Sequence, residues 1–144
     1  GGRHVMSIKN YAPVRFETGA IGNLRPLLVS QQHRMLIEGW RAELACGNPE
    51  VLVAAKHLVN GHSIRIVPTQ RLYYVHLLLD AHHVLNAEGA PCESLFPGQM
   101  ILDEDRTIHD EVRKAWAKRH PGPIEAMVTA RQVARGAEVS LLAA

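Results

Sequence analysis

The sequence predicts a compact, mainly β domain followed by two α-helices. Short apolar runs recur between turn residues from about Pro13 to Leu95, and the pattern turns helical after Pro97-Gly98. The 144 residues also suffice for one self-supporting core. The boundaries this gives are a lead-in or expression remnant at 1–12, a β-domain at 13–98 and a helical extension at 99–144.

Val14/Phe16, Leu27-Leu28-Val29, Met35-Leu36-Ile37, Val51-Leu52-Val53, Ile64/Ile66 and Tyr73/Val75/Leu77/Leu79 read as strands. Extended chain sends alternate side chains to one face, and branched or aromatic residues suit a pleated surface. Between them lie Gly22-Asn23, Gly47-Asn48-Pro49, Asn60-Gly61, Pro68 and Glu88-Gly89, all turn signals. Ala45 to Pro49 therefore reads as a loop, and Trp40-Arg41 and Tyr73-Tyr74 as packing and β-surface residues.

Beyond the β region, Asp103-Glu104-Asp105 opens a segment carrying Ile108, Val112, Ala115 and Trp116 at helical spacing. Lys114, Lys118, Arg119 and His120 close it, matching the helix dipole, and Pro121-Gly122-Pro123 stops it. A second helix is expected from Ile124 to about Arg135, ending at Gly136. Neither helix carries residues that suggest chemistry.

Composition narrows the function classes. Sixteen basic and fourteen acidic side chains give a net charge of +2, which points to neither nucleic acid nor a membrane surface. Apolar runs are short, Val51 to Ala55 being among the longest, against the ~20 residues of a membrane span. Cys46 and Cys92 can form at most one bridge, and each reads as a small apolar residue rather than a nucleophile. Gly1 is not a translation start and no apolar signal segment follows it, so the expectation is a piece of a longer protein or a remnant ahead of Met6.

Histidine is the residue in excess, nine in all, six of them between His33 and His83. Imidazole is the usual proton carrier and metal ligand near neutral pH. No His-Glu-x-x-His or Cys-x-x-Cys occurs and the spacings are irregular, so no metal and no cofactor is expected. A histidine-rich metal hydrolase is the reading that a zinc titration would test. On a strand, His82 and His83 would face opposite ways. Ser30-Gln31-Gln32-His33 places a hydroxyl and an imidazole at a strand junction, which in isolation is a turn followed by a solvated histidine.

Order changes that reading. Ser30-x-x-His33, then Val53-Ala54-Ala55-Lys56-His57-Leu58-Val59-Asn60-Gly61, then the run from Tyr73 to Ser94 follow one another. This succession resembles the hedgehog/intein (Hint) fold, and in particular the bacterial Hint domains of large secreted repeats-in-toxin-like proteins. The resemblance covers about Pro13 to Gly98. It implies a compact β-structure that processes its own chain: a Cys or Ser attacks the preceding carbonyl and turns an amide into a thioester or ester. It further implies that Ser30-x-x-His33 stands for the family's Thr-x-x-His, with His33 donating a proton to the leaving nitrogen and Ser30 holding the scissile peptide. The family's later histidine matches His82, with His83 as its neighbour and rival. Where intein-type domains end in His-Asn, this chain has Ala90-Pro91-Cys92-Glu93-Ser94, so release by Asn cyclisation is not expected.

One departure bears on activity. Only 29 residues precede Ser30, none is Cys, and nothing around Ser7 marks a domain start. The expectation is thus a Hint fold incomplete in this chain, its nucleophile elsewhere, inactive in isolation. Its partner would be the upstream segment of the same polypeptide, with association through open β-edges. The alternative is a non-catalytic Hint-like module capping a large exported protein.

Overall fold

The computed structural model describes residues 2–7, 12–68, 73–96 and 106–143. The Pro97-Gly98 boundary, the acidic opening at Asp103 to Asp105, and the side chains of Ser7, Tyr73, Tyr74 and Ile108 lie outside the described residues. Ten strands and three α-helices are described, a mainly β fold with two C-terminal helices, as the sequence predicts.

The strands are β1 (Gly2–Ser7), β2 (Val14–Phe16), β3 (Leu27–Val29), β4 (Arg34–Glu38), β5 (Glu50–Ala54), β6 (Ile64–Ile66), β7 (Tyr73–Leu78), β8 (Val84–Ala87), β9 (Ala90–Glu93) and β10 (Gln132–Val133). They form a two-stranded sheet β1-β7, a three-stranded sheet β3-β2-β6 and a five-stranded sheet β10-β5-β4-β9-β8. Pairing is antiparallel except where β10 runs parallel to β5.

Alternation puts Val14 and Phe16 of β2 inward, where both are fully buried, while Arg15 between them reaches Glu17 at the surface. With Val29, Met35, Ala55, Ile64, Ala90 and Cys92 they form the main core, at which the two larger sheets meet. Asn23 fastens the loop beside it. This buried amide donates to the carbonyls of Phe16, Glu17 and Arg25, and its oxygen accepts the Ile21 N–H. Asn23→Ala should cost about 2–3 kcal/mol by urea unfolding, since it orphans several main-chain groups at once. A loss under about 1 kcal/mol would show that water replaces the amide.

The β8–β9 hairpin turns on Glu88 and Gly89, both with positive φ (52° and 91°), the geometry of a two-residue turn matched to sheet twist. Gly89 is further constrained, because a Cβ there would stand 3.2 Å from the Gly22 carbonyl oxygen.

Two elements depart from expectation. The segment at Ala45 forms the end of α1 (Trp40–Cys46), closed by Gly47 in the left-handed region. Seven residues are too few for a helical period to register, and only Ala42 is buried. Trp40, expected to pack, is 69% exposed on this helix. The second correction concerns the predicted helix at 124–135. Ile124–Ala126 makes a single 3-10 turn, and Gln132–Val133 leaves it to become β10. Its pairing with β5 is extended by the Ala134 N–H bond to the Leu52 carbonyl, and Ala134 is buried against Ala42, Val51 and Val53. An open strand edge and an apolar pocket outweigh local helix propensity there. The second C-terminal helix, α3 (Ala137–Ala143), begins after Gly136 instead.

The first C-terminal helix, α2 (Arg106–Ala117), forms where expected. Val112 is buried with Leu78 and Ile124, and Trp116, one turn on, packs against that cluster. Its indole N–H is held by the Gly122 carbonyl at 2.9 Å. No described helix is long and apolar enough to cross a membrane.

Candidate functional site

The site is built where β3 turns into β4. The Ser30–His33 turn closes through the His33 N–H bond to the Ser30 carbonyl at 3.1 Å. Three further bonds pin it: Ala55 N–H to the His33 carbonyl, Lys56 N–H to the Gln31 carbonyl, and the Gln31 side-chain amide to the Ala12 carbonyl. The imidazole of His33 thereby projects from a rigid base, and its Nε2 is shielded from solvent although the residue is only partly buried. Burial holds its basicity below that of a free imidazole. The nearby Glu93 charge and a hydrogen bond to the Glu93 backbone oppose this in part.

Glu93 enters through strand register. Met35 of β4 pairs with Cys92 of β9, so one step further Arg34 lies beside Glu93. One carboxylate oxygen, Oε1, accepts the Arg34 main-chain N–H at 2.9 Å. The other, Oε2, lies 2.9 Å from His82 Nε2 and 3.8 Å from Arg34 Nη1. All three residues are under 9% exposed. Burial weakens the guanidinium's hold on its proton and the Glu93 charge strengthens it. The Phe96 ring covers the cluster, 5.1 Å from the His82 ring and 5.4 Å from Arg34 Cζ.

His82 sits in the turn before β8, fixed from both sides. Its Nδ1 accepts the Ala130 N–H at 2.8 Å, so the ring proton is on Nε2 and is donated to Glu93. Ser94, fully buried, clamps the same turn: its hydroxyl accepts the His83 N–H and its own N–H bonds to the His83 carbonyl. Of the two adjacent histidines, His82 faces inward and His83 faces solvent. They precede β8 rather than lying on it.

The structure thus brings His33 and His82 to one glutamate, His33 at its backbone and His82 at its carboxylate. Ser30 lies in the His33 turn, partly buried, with its carbonyl as the turn acceptor. Arg34 and Glu93 escaped sequence reasoning. A charged residue heading the apolar run Met35-Leu36-Ile37, and another closing Ala90-Pro91-Cys92, were the available signals. Neither shows its partner, 59 residues away.

The cysteines are chemically quiet. Burial, then the Glu93 charge, pushes the Cys92 thiol up to about 11, and Cys46 is raised by burial and by Glu138. Thiolate is scarce at both near neutral pH. No group of three or more metal-ligating side chains occurs among the described residues.

No curated protein and no solved structure matches the chain. The profile of the Hint domain family does, over residues 2–99, a span that takes in the Ser30–His33 turn, His82 and Glu93. The chain belongs to the Hint domain family.

Proposed function

We propose that the chain is the histidine-bearing part of a self-processing Hint domain, performing an N-to-S or N-to-O acyl shift at an upstream junction of the same polypeptide. The observation that carries this reading is the His33 imidazole, of lowered basicity, on a turn pinned by three hydrogen bonds. A neutral ring at neutral pH takes the proton from an attacking thiol or hydroxyl. It then hands that proton to the amide nitrogen as the C–N bond breaks and the acyl–sulfur or acyl–oxygen bond forms. Ser30, in the same turn, would hold the scissile peptide. In this reading the nucleophile, a Cys or Ser, belongs to the upstream segment of the same polypeptide.

The second reading, a non-catalytic module capping an exported protein, draws on His82. Both its ring nitrogens are engaged within the fold, which suits a structural histidine. Intact mass of the full-length gene product, incubated with and without dithiothreitol or hydroxylamine, separates the two. Self-processing requires nucleophile-dependent cleavage that falls by about 100-fold or more in His33→Ala. A product that stays whole under every condition assigns the chain to the module.

A further inference from the structure

Glu93 is the buried carboxylate on which several elements of the site converge. Its two carboxylate oxygens serve the Arg34 main chain, the Arg34 guanidinium and the His82 ring, while its backbone meets the His33 ring. It sits at the end of β9, paired with Val84, and is anchored by Ser94 immediately after it. A free carboxylate on a strand end would turn to water; this one is 5% exposed. Such a placement is costly unless the charge is met, and here the Arg34 main-chain N–H and the His82 ring hydrogen-bond the two oxygens while the Arg34 guanidinium supplies the counter-charge at 3.8 Å.

We infer that Glu93 is the positioning residue of the site, holding His33 through its backbone and charge, with His82 serving to orient Glu93. This deepens the self-processing reading and rests on it for the role of His33. The direction of support follows from the protons. His82 donates from Nε2 and accepts at Nδ1, so it orients the carboxylate and has no proton in transit. Ala130, on the segment leading into β10, therefore belongs to the support of the site although it lies beyond the family match at residue 99. The charged groups around Glu93 are Arg34, with Arg135 further out, and the titratable ones are His33, His82 and the adjacent Cys92 thiol.

The test is Glu93→Gln and Glu93→Asp in the 144-residue chain, read by long-range proton–nitrogen NMR of the histidine rings, and in the full-length gene product, read by junction cleavage. Glu93→Gln removes the charge with little change of shape. The expected result is a His33 titration midpoint more acidic than in the parent protein and cleavage slowed by about tenfold or more, with its pH profile moved the same way. Glu93→Asp keeps the charge but withdraws it by one methylene. It should hold the His33 midpoint near that of the parent, while the His82 Nε2–H, still fixed in place by the Ala130 bond to Nδ1, loses its carboxylate acceptor and exchanges faster with solvent, and this variant decides the matter if Glu93→Gln does not fold. An unchanged His33 midpoint in folded Glu93→Gln, or an unchanged exchange rate of the His82 Nε2–H in Glu93→Asp, overturns the inference. A parent protein that never cleaves but shows the expected ring signatures overturns self-processing alone and leaves Glu93 as the residue that orders the two histidines.

Discussion

Glu93→Leu is expected to destabilise the fold by about 3–5 kcal/mol, the cost of stranding a buried partner of opposite charge. The Arg34 guanidinium, with 10% of its side chain exposed, would lose its counter-charge, and the Arg34 main-chain N–H and His82 Nε2–H would lose their acceptor. Much of that loss is the penalty of what remains behind. Adding Arg34→Met should therefore recover a large part of it, since Met fills a similar volume without a charge to solvate. Urea unfolding of the two single variants and the double variant gives the coupling directly. A Glu93→Leu loss under 1 kcal/mol, or a double variant no better than the worse single one, would mean that water reaches the cluster and solvates Arg34 independently.

Stability should also fall as the pH drops below 6.5, the ordinary value for imidazole, because folding depresses His33. Above 6.5 neither the folded nor the unfolded chain holds that proton, and the contribution is fully present. Below it the unfolded chain binds a proton that the enclosed ring resists. Stability then declines by up to about 1.4 kcal/mol per pH unit until the pH passes the lowered folded value, where the loss levels off. His57 is depressed as well, by burial and by Lys56, but it is solvent-exposed and its share is small. Urea midpoints between pH 4.5 and 8 should therefore show a step that His33→Gln removes. Equal slopes in the two proteins would place His33 in solvent and remove the basis for its enclosed role.

Much of the β framework was legible beforehand. Val14/Phe16, Leu27–Val29, Ile64/Ile66 and the run into Leu78 each alternate or cluster as strands, and the structure makes strands of them all. The Ser30-x-x-His33 turn and the His82 turn were legible for a similar reason: a short motif between two apolar runs is a local property. Helix α1 was hidden by its length, and the segment at 124–135 by a pattern that suits a helix as well as a strand.

The sequence by itself determined which segments extend and where they turn, since side-chain period and turn chemistry act over a few residues, and the order of its motifs carried the resemblance to the Hint family. Only the tertiary structure decided which strands pair, that β10 closes the edge of β5, and that Arg34, His82 and Glu93 share one buried cluster. Register between distant strands and the loss of water around a charge are properties of the assembled fold. A glutamate reads the same in a sequence whether it ends up solvated or buried between an arginine and a histidine.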